Sequence, residues 1–163
     1  MSYSAKAIAN YFLSLAKKKR LNPLKLQKLI YFAHGWHLAI FDKALVNETV
    51  EAWEFGPVID SIYEEFKEFG KEPINRPAFE FEEPVGLYPP RIFETNTKTT
   101  SLLRKIWNAY GKFTGIQLSN MTHEDETPWK RIYDEHEGDL PLHKDISDLE
   151  IKNYFSKIGS PKF

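Results

Sequence analysis

Apolar positions recur at helical spacing over most of the chain. Ala5, Ile8, Phe12 and Leu15 fall on one face of a segment that opens on Ser4, a residue able to cap free backbone N–H groups, and they predict a first helix over 4–18. After a turn at Leu21-Asn22-Pro23, a second helix is predicted over 24–41, with Pro23 near its first turn, where a missing N–H costs nothing. Leu26, Leu29, Ile30, Ala33, Trp36, His37 and Ile40 make one face of this helix, and Leu24, Tyr31, Gly35 and Leu38 add another. A helix apolar nearly all round belongs in the centre of a core, with Lys25 and Lys28 on its opening turns reaching solvent. Gly35 inside it predicts close approach by a neighbouring element.

The period then breaks. Ala44-Leu45-Val46 and the run 50–55 suggest a two-stranded ribbon, and Gly56-Pro57 turns the chain into a third helix, with Pro57 in its first turn and Gly70 at its end. Ile59, Ile62, Phe66 and Phe69 form its inward face. Pro73, Pro77, Pro84, Pro89 and Pro90 rule out regular helix over 71–96, which reads as an extended surface segment with short strands at 79–81 and 85–88. Helix resumes over 100–110 through Leu102, Leu103, Ile106 and Tyr110. Three further starts follow: a capping box at Thr114–Gln117, Thr127 before Pro128, and a second box at Ser147–Glu150. Ile151, Tyr154, Phe155 and Ile158 dock the last helix. The pattern predicts a mainly α fold: a compact multi-helix domain with a central buried helix and a small β-ribbon.

Composition supports this. The chain has 15 Leu and 13 Ile against 4 Val, a poor supply of the residue best suited to strands. At 163 residues without cysteine it is expected to form one domain over 1–163, burying roughly 68–70% of its unfolded surface and needing no disulfide or structural metal. The 13-residue uncharged stretch 29–41 is too short to span a bilayer, and no secretion signal is evident, so a cytoplasmic protein is expected. The net charge of −1 conceals an asymmetry: residues 1–41 carry +7, residues 42–83 carry 12 acids against 4 bases, and the remainder balances. Within one domain such halves mainly neutralise each other.

Signals for catalysis are weak. His34 and His37 stand three apart on the second helix without the i, i+4 pairing and nearby carboxylate of helical metal sites, so hydrogen-bonded core histidines are the better reading and no metal is expected. His123-Glu124-Asp125-Glu126 reads as a solvated turn between helices. There is no nucleophile elbow, P-loop or dinucleotide fingerprint, so neither an enzyme nor a cofactor is expected. A basic helix, a turn and a second helix superficially suggest helix-turn-helix geometry, with Lys17–Arg20 available for phosphates. The apolar second helix lacks the polar face a recognition helix needs. Asp60, Glu64 and Glu68 fall at i, i+4 and i+8 on the third helix, an acidic stripe able to steer a basic protein partner.

The run Leu24-Lys25-Leu26-Gln27-Lys28-Leu29-Ile30-Tyr31-Phe32-Ala33-His34-Gly35-Trp36-His37-Leu38-Ala39 and the segment Glu51-Ala52-Trp53-Glu54-Phe55-Gly56-Pro57-Val58 resemble the Panacea-domain family, the SocA-like antitoxins of bacteria and their phages. Ala7-Ile8-Ala9, Tyr63 and Phe66, Thr122-His123 with Pro128-Trp129, and the pattern 151–155 support the match, whereas residues 71–98 match no motif. The resemblance implies a noncatalytic antidote that neutralises a toxin encoded beside it by direct protein contact. A DNA-binding regulator, or an adaptor delivering the toxin to a protease, is the alternative, and self-association is a further possible contact. Lys28, Trp36, His37, Trp53, Glu54 and Tyr63, with the stripe Asp60, Glu64 and Glu68, are the expected partner contacts. Trp36, Trp53, Phe55 and Tyr63 suit either core or binding roles, because each joins a large apolar ring to the family motifs.

Overall fold

The computed structural model describes residues 1–17 and 20–159. Seven α-helices and five short strands are present among these residues. Helix α1 spans Ala5–Ala16 behind the Ser4 cap, whose side chain accepts the Ala7 N–H, and it stops where Lys17 takes φ 45°. The predicted extension to Lys18, and the Lys18 and Lys19 part of the basic run, lie outside the described residues. Helix α2 spans Pro23–Phe41, capped by Asn22 at its start and closed by Asp42 in the left-handed conformation. Every residue from Leu26 to Leu38 is buried, so α2 is the axis on which the other helices are laid and offers no face to a nucleic-acid groove. Its outer ends depart from expectation: Ile40 is exposed, and Lys28 is not. Lys25 is half-buried, with its ammonium on the Gly111 carbonyl.

Strand β1, Val50–Trp53, is the middle of a three-stranded antiparallel sheet. Its neighbours are β2, Gly56–Val58, and β5, Asp145–Ile146. The ribbon is therefore real, but its partner is the segment after it; Val46 contributes only a parallel bridge to Tyr3. Pro57 sits in β2 rather than in a first helical turn. It faces away from β1 on the edge of the sheet, where its missing N–H breaks no ladder bond. Helix α3 spans Asp60–Phe66 and tightens into a 3₁₀ turn at Lys67–Phe69.

The proline-rich segment runs back across α1 and α3. Ile74 N–H donates to the Leu21 carbonyl at 2.7 Å, and the Asn10 side chain bonds Ala78 in both directions, at 3.0 and 2.7 Å. Within the segment β3, Glu80–Glu82, and β4, Gly86–Tyr88, form a separate hairpin. Helices α4 (Thr97–Tyr110), α5 (Gly115–Thr122), α6 (Pro128–Glu135) and α7 (Asp148–Lys157) follow. Thr114 makes the full capping box with Gln117, and Thr127 caps α6 ahead of Pro128. Ser147 caps α7, but the Glu150 carboxylate of its expected box goes to Arg131 and the Ser147 hydroxyl.

Helix α7 docks on α2 through Ile151 and Phe155, which are buried, and half-buried Tyr154, whereas Ile158 is exposed. Phe155 explains Gly35: a Cβ there would stand 2.2 Å from the Phe155 ring. Around it, Trp36 meets Phe155 edge-on at 5.0 Å and Phe32 stacks on Tyr110 at 4.3 Å. These aromatic contacts, each worth about 0.5–1.5 kcal/mol beyond burial, lock α2, α4 and α7 together.

Candidate protein-interaction site

Polar residues are rare along the buried length of α2, and two of them are spent on the backbone that leads out of β1. Gln27 bonds Ile59 twice, its Nε2 donating to the carbonyl at 2.9 Å and its Oε1 accepting the N–H at 3.1 Å. Lys28, with 0% exposure, donates from Nζ to the Pro57 carbonyl at 2.9 Å. From α5, Ser119 donates to the Phe55 carbonyl at 2.7 Å, and from α6 the Trp129 indole donates to the Trp53 carbonyl at 2.6 Å. Four alternate carbonyls, 53, 55, 57 and 59, are thus held by side chains of three helices. At 55, 57 and 59, along the free side of β2, these donors stand in for the neighbouring strand that the edge lacks, and with the Trp129 bond at 53 they satisfy the rule that buried carbonyls find partners.

Gly56 is required in this arrangement. Its φ of +107° disfavours any L side chain, and a Cβ would lie 2.6 Å from Thr122 Oγ1 and 3.1 Å from Lys28 Nζ. Thr122 in turn donates to the Ser119 carbonyl, and Thr127 donates to the Thr122 carbonyl, so the α5–α6 connection is fixed against the same turn. His123 stacks on Trp129 with ring centroids 3.8 Å apart, and its Nε2 is buried without a hydrogen-bond partner among the described residues. Burial, and next the nearby Lys28 charge, hold its pKa below the usual histidine value. For Lys28, burial lowers the ammonium pKa to about 7, and no carboxylate pairs with it among the described residues.

The clamp presents a two-residue turn, Glu54-Phe55, to solvent. Phe55 is 64% exposed. Beside it Trp53 is half-buried and meets Tyr63 of α3 edge-on at 4.8 Å, with Tyr63 itself 42% exposed. Trp53 is oriented by its indole N–H, which donates to Glu51 Oε2 at 2.7 Å, while His143 contacts the other carboxylate oxygen at 3.1 Å. Three aromatic side chains gathered at the braced turn and the adjoining helix, with Glu54 and Glu64 next to them in sequence, make a surface suited to protein recognition: rigid rings lose little conformational entropy on binding.

The structure therefore divides the expected contacts. Trp53, Glu54, Tyr63 and Glu64 come together at the surface, with Asp60 half-buried at the start of the same helix. Lys28, Trp36 and His37 do not join them, because all three are buried. Lys28 braces the turn from beneath, Trp36 donates to Tyr110 Oη at 3.0 Å within the core, and the His37 Nδ1–H donates to the Lys43 carbonyl at 2.6 Å. The acidic stripe is broken. Helix α3 ends before Glu68, whose carboxylate is taken by Arg76 at 2.7 Å, and Glu64 pairs with Lys67 at 2.6 Å. Arg76 also bonds Glu65 at 2.7 Å and lies over the Phe66 and Phe69 rings. Phe55 belongs to the site, and Gln27, Ser119 and Trp129 are its supports. The aromatic Phe55 and the Pro128-Trp129 motif are visible in the sequence, and the Gln-Lys pair inside an otherwise apolar run is the signal for Gln27; Ser119 leaves none.

His34 is a core histidine. Val46 N–H donates to its Nδ1 at 3.4 Å, which leaves the proton on Nε2 to donate to Asp148 at 2.8 Å. Among the described residues no group of three or more His, Asp or Glu side chains is arranged to hold a metal ion. No helix is long and apolar enough to cross a membrane among the described residues.

The braced turn and its supports fall within a recognised pattern. The family model "Antitoxin SocA-like, Panacea domain" matches residues 26–130, which includes the central helix, the clamp and the aromatic turn. A curated relative, Antitoxin SocA of Caulobacter vibrioides (strain NA1000 / CB15N), is 32% identical over 160 residues, covering 94% of this chain and 83% of the relative. No solved structure matches the chain. With the family model covering most of its length and this relative nearly all of it, the chain belongs to the SocA-like Panacea-domain family.

Proposed function

We propose that this protein is an antitoxin that neutralises a cognate protein toxin by direct binding, masking a surface of the toxin without covalent chemistry or a cofactor. The relative's name supports the antitoxin role. The observation that carries direct binding is the surface made by exposed Phe55, half-buried Trp53 and the adjoining Tyr63 of α3, around a turn whose backbone is clamped at four carbonyls. Exposed aromatic rings on a mobile loop would lose ordering entropy on binding; here the helices have already fixed the loop.

The test is co-expression of this chain with the small protein encoded by the adjacent gene, from separate promoters, scored by growth and by co-purification. Rescue with a stable complex, lost on Phe55→Ala together with Tyr63→Ala while the variant remains folded, is the expected result. Rescue without a complex would refute direct binding, and a harmless neighbour that forms no complex would refute the antitoxin reading for this pair.

A further inference from the structure

The β3–β4 hairpin exposes three large apolar side chains. Phe81 and Leu87 are cross-strand partners and so share one face; they are 65% and 71% exposed, and Val85 in the connecting turn is exposed as well. Side chains this large are normally covered when they cluster, and an uncovered cluster marks an interaction surface. An open groove of about 610 Å³ runs between Phe81, Leu87 and Phe79 on one side and the Lys6–Glu65–Arg76 ion pairs on the other. The cations in that floor are already engaged, Lys6 by Glu65 and the Phe79 carbonyl, Arg76 by Glu65 and Glu68. The hairpin itself adds Glu80, Glu82 and Glu83 and no base.

We infer that this hairpin and its groove form a second contact for the toxin, taking an apolar side chain of a basic segment against Phe81 and Leu87 while Glu82 and Glu83 at the tip of the hairpin meet the flanking Lys or Arg residues. The inference rests on the toxin-binding reading above. Helix α3 connects the two contacts: Tyr63 on one side packs on Trp53, and Glu65 on another accepts the Phe79 N–H at 3.2 Å at the entrance to β3. Seven residues of helix are about 10 Å long and a helix with its side chains about 10 Å wide. A standard interface of about 800 Å² per partner is roughly 28 Å across, wider than the helix that separates the two contacts.

Charge selects the occupant. The hairpin carries Glu80, Glu82 and Glu83 and no base, and the groove cations Lys6 and Arg76 are already paired, so the exposed hairpin disfavours nucleic acid and anionic lipid and favours a cationic protein surface. A second copy of this chain is disfavoured by the same carboxylates, since a two-fold contact through the hairpin would set Glu82 and Glu83 near their own copies.

The experiment measures binding of the purified toxin encoded by the adjacent gene to the full chain at two salt concentrations. Phe81→Ala with Leu87→Ala is expected to weaken binding at least about tenfold, a hot-spot loss. Glu82→Lys with Glu83→Lys is expected to slow association several-fold and flatten its salt dependence. These side chains are exposed, and an unchanged urea midpoint verifies folding. Toxin binding by the wild type that neither pair alters would overturn the inference and leave the antitoxin reading standing. No binding by the wild type would overturn both. A concentration-dependent dimer abolished by the apolar pair, with toxin affinity unchanged, would make a second copy the occupant and likewise overturn it.

Discussion

Lys28→Met keeps the reach of the side chain and removes its charge, and its effect on stability should depend on pH. In the folded protein burial lowers the ammonium pKa from 10.5 to about 7. Because the folded value lies below the unfolded one, the unfolded chain binds more protons between these limits, and wild-type stability rises with pH across that window. Below about pH 7 both states hold the charge and the burial penalty is constant. Between pH 7 and pH 9 the linkage integrates to about 2 kcal/mol, out of a total of order 5 kcal/mol for the whole displacement. The variant also leaves the Pro57 carbonyl without its donor, a loss of about 1–3 kcal/mol that does not change with pH. Urea unfolding of both proteins at pH 7 and pH 9 separates the two effects. Any advantage of Met should shrink, or its disadvantage grow, by about 2 kcal/mol on going to pH 9, a relative midpoint shift of about 1 M at ordinary urea slopes. His123, whose pKa is held below the usual histidine value, titrates outside this window and does not confuse the comparison. A wild-type-minus-variant difference that stays constant over the window would refute the account of Lys28 as an unpaired buried amine.

Gly35→Ala should destabilise the fold by about 1–3 kcal/mol in urea unfolding, since the added methyl meets the Phe155 ring at 2.2 Å and that ring is enclosed by Tyr31, Phe32 and Trp36. Gly56→Ala should weaken toxin binding as well as stability, by about 1–3 kcal/mol in the latter, because the strained φ and the Thr122 contact both displace the turn bearing Phe55. Thr114→Ala should lower stability by about 1 kcal/mol and leave toxin affinity unchanged, since it removes only the α5 capping box. Phe55→Ala should do the reverse, with an unfolding midpoint close to wild type and a loss of toxin affinity in calorimetry.

What could be read in the sequence was what local rules govern. The caps at Ser4, Thr114, Thr127 and Ser147 and the central position of α2 follow from residues next to one another in the chain. The errors came from contacts across it. Strand β1 finds its second partner at Asp145–Ile146, a two-residue strand too short to leave a pattern, and Pro57 looked like a helix start because Gly-Pro is equally at home on a sheet edge. A lysine on an opening turn normally reaches solvent; the burial of Lys28 depends on a carbonyl 29 residues away. The acidic stripe assumed a helix running through Glu68 and had no means of anticipating Arg76. Within the site, the aromatic residues were visible from their types, but their separation into exposed Phe55 and Tyr63 and enclosed Trp36 was set by tertiary packing.

Pro57 also limits the ways in which a protein partner could engage this face. On the outer side of β2 it offers no N–H, and its carbonyl is occupied by Lys28, as those of its neighbours at 55 and 59 are by Ser119 and Gln27. A strand laid alongside would find no ladder to extend. The edge is therefore closed both to a partner that binds by sheet extension and to accidental pairing between copies of this chain, a hazard of unpaired strands. Recognition at this turn has to be carried by side chains. The identities of Trp53, Phe55 and Tyr63 can then change to follow a different toxin while the backbone bearing them stays in place.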